Sequence, residues 1–319
     1  MFAHGRGAVE TGDDAWLQAL LDVERALAKA TGADIADDVF DASRYDLEEL
    51  GRAAAAGGNP VIPLVEQLPA GAHAGATSQD ILDSALMLIA RRAVEPLLDD
   101  AGAAAARAGE LAAEHAGTPM IGRTLLQHAQ PTTFGAKAAS WERGITAATT
   151  ALAEVPLPVQ MGGPVGTRAD GVAALVAEEL GLAPSAPWQS DRTPVARLGC
   201  ALGILAGALG KVGRDVALLS QNEVGEVREG APGGSSSMPH KNNPVASTAL
   251  VAIATRTPGL VGTLLSAMPG EHERAAGAWH AEWETVGDLL RLTGSAAAWA
   301  RELLDGLEVD TERMRTNLG

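Results

Sequence analysis

The chain has one cysteine, few aromatic residues and no uninterrupted apolar stretch long enough to cross a membrane. Cys200 has no second cysteine with which to form an intrachain disulfide, which fits a reducing cytoplasm. Its Ala/Leu/Gly surroundings predict a buried, inert thiol. Aromatics make up 3% of the 319 residues, which disfavours a β-sandwich. The apolar fraction of 46%, rich in Ala, Leu and Val, indicates closely packed helices instead.

Positive charge is also scarce. The net charge of −16 argues against nucleic acid and anionic membrane surfaces as partners. A polyanionic substrate is repelled by this overall field, so its binding requires a local group of cations. Arg123, Lys241, Arg274 and the histidines are the candidates. No cationic and apolar leader opens the chain, and we therefore expect a cytoplasmic protein.

Apolar residues recur at helical spacing over most of the chain and predict an all-α fold. Residues 13–30 form the first expected helix, with Gly32 just past its end. Thr77-x-x-Asp80 has the form of a capping box and starts a helix that runs to about His115. The remaining helices are expected over residues 134–154, 170–181, 192–228, 244–267 and 276–304.

These lengths divide the chain into a small helical domain over residues 1–75 and a bundle of long helices over residues 76–319. Helices longer than about 25 residues exceed the usual globular length and are typical of bundles. Their Ala/Leu/Val faces offer more apolar surface than one copy can cover. We therefore expect the bundle to associate with further copies of the chain.

Residues 233–244, Gly-Gly-Ser-Ser-Ser-Met-Pro-His-Lys-Asn-Asn-Pro, form a polar loop without apolar periodicity. Its hydroxyls and backbone N–H groups, together with Lys241, are suited to holding carboxylates. The alternative is a solvated linker between helices. Pro239 and Pro244 pin the backbone and argue against a linker.

This loop resembles the Gly-Ser-Ser-x-Met-Pro-x-Lys-x-Asn-Pro signature of the fumarase/aspartase superfamily at every fixed position. Gly75-Ala-Thr-Ser-Gln-Asp80 and the segment from Gly122 to Gly135 are similar to two further superfamily segments and occur in the expected order. The resemblance runs from about residue 10 to the C-terminus. It is strongest to the branch that lactonises 3-carboxy-cis,cis-muconate, through the segments 221–227, 271–274 and 277–283.

The resemblance implies a homotetramer with a shared central helix bundle, in which three protomers build each active site. Superfamily members usually carry a third, small helical domain, which we expect to be lacking here because the chain ends where it would begin. The implied reaction interconverts 3-carboxy-cis,cis-muconate and 4-carboxymuconolactone in aromatic-acid breakdown without a cofactor, through an aci-carboxylate. The alternatives are a fumarate-releasing lyase that acts on a succinylated amine, and a non-catalytic helical assembly protein.

By resemblance, Ser235 is the general base, deprotonated with help from Lys241 and the N–H groups of the loop. In the alternative, Ser235 only hydrogen-bonds the substrate and a histidine is the base. His128 either donates to a substrate carboxylate, moves a proton or is structural. The residues expected to bind the small polycarboxylate substrate are His73, Thr77, Ser78, Thr124, Gln127, Ser236, Asn243 and Arg274.

Two positions depart from the superfamily pattern. Leu125 stands where many lyase branches have a histidine that transfers a proton to the leaving group, which disfavours adenylosuccinate and argininosuccinate lyase activities. Ala74 replaces a bulky residue and leaves the pocket shape open. Arg274 could pair with Glu271 or Glu273 instead of binding the substrate. We expect no metal, because the histidines lack the spacing of zinc ligands.

Overall fold

Helices account for most of the structure, a computed structural model that describes residues 2–238 and 240–319. Met1, where the predicted N-terminal domain begins, and Pro239 of the serine-rich loop lie outside the described residues. The elements are α1 (Asp13–Ala30), α2 (Leu47–Gly57), α3 (Val61–Val65), α4 (Ser78–Glu114), β1 (Pro119–Thr124), β2 (Gln127–Thr133), α5 (Phe134–Ala153), α6 (Val172–Leu180), α7 (Thr193–Leu219), β3 (Val227–Arg228), α8 (Val245–Ala267), α9 (Ala278–Asp305), β4 (Glu308–Val309) and α10 (Thr311–Thr316).

Five long helices, α4, α5, α7, α8 and α9, pack side by side as a bundle, which confirms the all-α prediction. Helices α7 and α8 are antiparallel, since Gly199 faces Leu264 while the later Gly213 faces the earlier Leu250. A β-carbon at either glycine would collide with the facing leucine. These glycines therefore allow the two backbones to approach closely.

A buried ion cluster joins α4, the start of α7 and α9. Arg192 donates to Asp83 through Nη1 (2.6 Å) and Nη2 (3.0 Å), and its Nε donates to both oxygens of Glu282 at 3.1 Å. Trp279 Nε1 donates to Asp83 Oδ1 at 3.0 Å. Burial alone would lower the pKa of Arg192, but the charge of Asp83 and the hydrogen bonds to Glu282 outweigh it and raise the pKa. The arginine therefore stays charged inside the core.

Residues 2–75 pack against the bundle. A 3₁₀ helix over Arg6–Thr11 lies on α4 and α9, and α1 packs on α4 and α6. Gly32 has φ +74° and follows the end of α1, as predicted. Apolar side chains of this segment belong to the same buried cluster as those of the bundle. The domain boundary near residue 75 stays a prediction.

One expected helix was too long, and one element was not predicted. The helix expected over residues 192–228 ends at Leu219, because a turn with Gly225 at φ +64° follows and the chain then forms β3 against β4. The segment between α4 and α5 is an antiparallel hairpin of β1 and β2 with an irregularity between Ile121 and Arg123. Its polar residues gave no apolar alternation from which a strand could be predicted.

Within the described part of the chain, two helices, α7 and α8, are long and apolar enough to span a membrane by length and composition. Core helices of soluble proteins pass the same test, and 61% of the apolar window of α7 is buried. Only 28% of the corresponding window of α8 is buried, so much of this helix faces away from the protomer core. Cys200 of α7 is half-buried, in contrast to the buried thiol that was expected.

Candidate functional site

The serine-rich loop is closed at its base by a pair of backbone hydrogen bonds. Gly233 and Asn243 each donate an N–H to the other's carbonyl, at 2.8 and 2.7 Å. A side chain at Gly233 would collide with Val245. Asn243 also donates its side-chain amide to the Gly234 carbonyl at 2.8 Å. Asn243, predicted to bind substrate, is therefore also the residue that ties the two ends of the loop.

Ser235 lies inside this loop with its oxygen facing two backbone donors. The N–H groups of Ser237 and Met238 donate to Ser235 Oγ at 3.4 and 3.2 Å. Hydrogen bonds to the charged form of a group favour that form, so these donors favour deprotonation of the hydroxyl. Ser236 and Lys241 are exposed in the same loop. Among the residues that the structure describes, the Lys241 ammonium forms no ion pair.

A solvent-open cavity of about 650 Å³ adjoins the loop. His240, Lys241 and Asn243 line one side, and Glu223 and Arg228 line another. The volume lies within the range of pockets that hold small molecules. The cavity therefore offers both cationic and neutral donors to a carboxylate ligand.

Glu229, which the sequence did not suggest, holds the start of α8 next to the loop. Its buried carboxylate accepts the backbone N–H groups of Ala246 (3.1 Å) and Ser247 (2.8 Å) and the Ser247 hydroxyl (2.6 Å). These are the free donors at the start of α8. The N-cap residue itself is Pro244, which has no side-chain acceptor, and this was the one available sign that a cap had to come from elsewhere.

A second group of predicted residues meets at the start of α4. Arg274 donates through Nη2 to Thr77 Oγ1 (2.7 Å) and through Nε to Gln79 Oε1 (3.1 Å). Neither Glu271 nor Glu273 is paired with Arg274 in the part of the chain that the structure describes. Ser78 is half-buried in the first turn of the helix. This end of the bundle thus combines a guanidinium with the free N–H groups and partial positive charge of a helix N-terminus.

Asp80 holds this helix start in place. Its buried carboxylate accepts the N–H groups of Gly162 and Gly163 at 2.8 Å, the Gln160 amide at 3.0 Å and the Thr77 N–H at 3.1 Å. Burial raises the pKa of Asp80, against the lowering by these hydrogen bonds. The hydrogen bond from the Thr77 N–H to the Asp80 carboxylate is one of the two hydrogen bonds of the predicted capping box.

We expect Asp80→Asn to lower the free energy of unfolding by about 1–3 kcal/mol, because an amide nitrogen replaces one acceptor and leaves buried N–H groups unsatisfied. Urea unfolding at constant protein concentration measures the change. Asp37→Asn, at an exposed position, is the matched control and should stay within about 0.5 kcal/mol of the wild type. Equal stability of the two variants would contradict the structural role of Asp80.

His73 lies four residues before Thr77 and pairs with α1. Its Nδ1 is 2.7 Å from Oε1 of Glu24, a carboxylate with no solvent exposure. The neighbouring Ala74 has its carbonyl hydrogen-bonded by Arg168 Nη1 at 3.0 Å. The structure thus brings a histidine, predicted from its motif, together with a glutamate that lies 49 residues away in sequence.

The third group, Thr124, Gln127 and His128, is exposed at the end of the β1–β2 hairpin. His128 lies on β2, which leads directly into α5, and is opposite Arg123. Arg123 is not available to substrate as a free cation, because Glu226 accepts its guanidinium through both oxygens at 2.7 and 2.9 Å.

The three groups do not meet within one protomer. Thr77 and the hairpin lie at opposite ends of α4, whose 37 residues span about 55 Å. The serine-rich loop lies at the hairpin end, since Glu226 and Glu229 tie its flanks to Arg123 and to the start of α8. Arg274 follows the far end of α8, whose 23 residues span about 35 Å. A site that uses all three groups therefore requires more than one copy.

A family comparison agrees with these motifs. The profile of a family described as "Lyase" matches residues 53–259, more than half of the chain. The chain belongs to this lyase family. A 3-carboxy-cis,cis-muconate cycloisomerase of Pseudomonas aeruginosa is 48% identical, over 95% of this chain and 73% of that relative. A nitrosuccinate lyase of Streptomyces davaonensis is 44% identical, over 96% of this chain and 75% of that relative.

The fold is likewise that of the fumarase/aspartase superfamily. The crystal structure of the 3-carboxy-cis,cis-muconate lactonizing enzyme from Pseudomonas putida superposes with a TM-score of 0.90 at 40% identity, covering 98% of this chain and 77% of that one. Within residues 2–238 and 240–319, no group of three or more His, Cys, Asp or Glu side chains is arranged to hold a metal ion.

Proposed function

We propose that the chain is a 3-carboxy-cis,cis-muconate cycloisomerase that works without a cofactor and interconverts this triacid and 4-carboxymuconolactone. The observation that carries the proposal is the 44–48% identity to two enzymes of this name over 95% of the chain. The geometry of Ser235, whose oxygen faces two N–H donors beside Lys241, supports it. The acidic surface favours neither nucleic acid nor anionic membranes as partners, and we propose a cytoplasmic location.

In the proposed lactonisation, a substrate carboxylate oxygen adds to the conjugated double bond and forms the ring C–O bond. The electron pair moves into a neighbouring carboxylate and gives an aci-carboxylate, which Ser235 protonates at the α-carbon. In reverse, the Ser235 alkoxide removes that proton and the ring carboxylate leaves. Lys241 and the donors of the loop stabilise both the alkoxide and the aci-carboxylate, which are the charges that develop during reaction.

Elimination from nitrosuccinate is a second candidate, favoured by the 44% identity to a nitrosuccinate lyase. The two reactions share proton abstraction next to a carboxylate but differ in the leaving group, which is nitrite in one and a tethered carboxylate in the other. Neither leaving group requires protonation by a strong acid, in agreement with Leu125 in place of histidine. Identity alone therefore does not separate them.

Activity on the two substrates decides between these functions. We would incubate the protein with each and follow the loss of ultraviolet absorbance of the conjugated muconate and the release of nitrite. Our proposal expects kcat/KM for carboxymuconate to exceed that for nitrosuccinate. Nitrite release without lactone formation would reverse the assignment, and activity on neither would leave the lyase of a succinylated amine and the non-catalytic assembly protein as the alternatives.

We further propose a homotetramer whose active sites combine the Thr77 group, the hairpin group and the serine-rich loop from different protomers. The distances along α4 and α8, together with the exposed apolar face of α8, support this arrangement. In this scheme His128, Thr124 and Gln127 reach the substrate from a neighbouring copy.

Mixing two inactive variants tests the shared site. Ser235→Ala and Arg274→Ala are each expected to lose activity, whereas refolding them together should restore about a quarter of wild-type activity, since a quarter of sites in a random assembly draw both segments from intact copies. The mass in solution confirms that mixed assemblies form. Mixed assemblies without activity would contradict the shared site and show that one protomer supplies both segments.

A further inference from the structure

The least compensated buried charge in the N-terminal segment is Glu24 of α1. Oε1 contacts His73 Nδ1 at 2.7 Å, whereas Oε2 is buried without a hydrogen-bond partner among the described residues. The neighbouring ion pairs use other carboxylates: Asp22 accepts from Arg25 and Arg92. Among the described residues, only His73 therefore compensates the charge of Glu24.

A carboxylate in this position lowers the stability of the fold, because an apolar residue there would avoid the desolvation penalty. Its presence therefore points to a function. Burial raises the pKa of Glu24, against the lowering by its hydrogen bond to His73. The contact between Oε1 of Glu24 and Nδ1 of His73 fixes the orientation of the imidazole ring.

The other ring nitrogen of His73 is the one that can act on a ligand. Nε2 has no partner among the described residues, and the side chain is 21% exposed. The ring lies on the loop that leads into Thr77, whose hydroxyl accepts from Arg274. A substrate carboxylate at this helix start would meet the Arg274 guanidinium and an Nε2–H donor on the same segment.

From this geometry we infer that Glu24 is a positioning residue, which orients the His73 ring so that its Nε2–H binds a substrate carboxylate. Glu24 itself does not touch the substrate. The inference rests on the proposed function for the identity of the triacid, and it adds a residue that neither the motif nor its spacing suggested. A substrate carboxylate that binds here would accept a hydrogen bond from Nε2–H, on the side of the ring away from Glu24.

The test uses Glu24→Gln, which keeps the shape and removes the charge, together with His73→Asn and the double variant. We expect Glu24→Gln to raise KM for carboxymuconate and the inhibition constant of tricarballylate, an inert triacid, about 10-fold, as for the loss of a charge-assisted hydrogen bond. We expect kcat to change less than KM. The double variant should bind no more weakly than His73→Asn alone, because Glu24 acts through His73.

Two further measurements separate positioning from a merely structural role. The Nδ1–H proton resonance of His73, assigned by its absence in His73→Asn, should shift or vanish in Glu24→Gln. Urea unfolding should show Glu24→Gln to be as stable as the wild type or more so, because a buried charge is removed. The matched control is Glu179→Gln, which removes a carboxylate of α6 that forms an ion pair with Lys29 of α1 at 2.8 Å. This variant should leave KM unchanged.

Unchanged KM and inhibition constant in Glu24→Gln, or additive losses in the double variant, would overturn the inference. Its failure is distinguishable from that of the proposed function. If the wild type does not convert carboxymuconate, the cycloisomerase assignment fails, while tricarballylate binding and the His73 resonance still report on Glu24. If the wild type is active but neither tricarballylate binding nor the His73 resonance changes in Glu24→Gln, only the positioning role fails.

Discussion

Ser235→Ala is expected to lower kcat for carboxymuconate by about 10³-fold, within the range typical of removing a proton-transferring side chain. The loss should appear in kcat rather than in KM, because the hydroxyl acts on the α-carbon proton in the transition state. The two N–H groups that favour the alkoxide are set by the closed loop and stay in place in the variant. Steady-state kinetics by ultraviolet absorbance measures the effect.

Ser237→Ala is the matched control for this result. It lies in the same loop, is exposed, and keeps the backbone N–H that donates to Ser235. We expect its kcat to stay within about 3-fold of the wild type, as for a surface substitution. A Ser235→Ala variant with wild-type kcat and a raised KM would assign Ser235 to substrate binding and return the role of base to a histidine.

Arg192→Met should destabilise the protein by about 3–5 kcal/mol, the cost of leaving buried carboxylates without their cation. Asp83 and Glu282 are 0% and 1% exposed, so neither can turn to solvent. Urea unfolding at constant protein concentration gives the change. Arg44→Met, which breaks an exposed pair with Asp38, should cost at most about 1 kcal/mol.

The pH dependence of Arg192→Met follows from the same cluster. Burial raises the pKa of Glu282 above 4.5 even in the wild type, and the hydrogen bond from Arg192 opposes this. Without Arg192 the folded-state pKa of Glu282 rises further above its unfolded value. The folded variant then binds the proton more tightly, so its stability should increase as the pH falls from 7 toward 4.5.

The combination Arg192→Met/Asp83→Asn/Glu282→Gln serves as the rescue for this prediction. It removes the three charges together and should recover part of the loss, because no unpaired ion stays buried. If the single variant is as stable as the wild type at pH 7, the cluster does not hold α4, α7 and α9 together as the structure indicates.

Local sequence signals predicted the helices well where the residue that starts or ends a helix lies at the boundary of that helix. Thr77 with Asp80 marked the start of α4, and Gly32 marked the end of α1. The serine-rich loop was also readable, since its composition excludes both a helix and a strand. These features depend on neighbours within a few residues, which a sequence displays directly.

The remaining features depend on contacts between distant segments. Glu229 caps α8 from 17 residues away, and Glu226 captures Arg123 across 103 residues. The dependence of His73 on Glu24 is of the same kind. A single sequence shows such carboxylates only as helical or loop residues, because nothing local distinguishes a buried acid from a solvated one. The separation of the three motif groups also required the folded helix lengths.

The backbone at the tip of the β1–β2 hairpin is strained, and burial of its side chains within one protomer does not compensate for the strain. Leu125 and Leu126 both have positive φ, +49° and +63°, where residues with a β-carbon are disfavoured by about 1–2 kcal/mol each. They are also 97% and 73% exposed, so neither leucine gains from burial. Asn-Gly would form this tight turn more easily. An apolar surface of another copy that covered both leucines would offset this cost by burying their side chains.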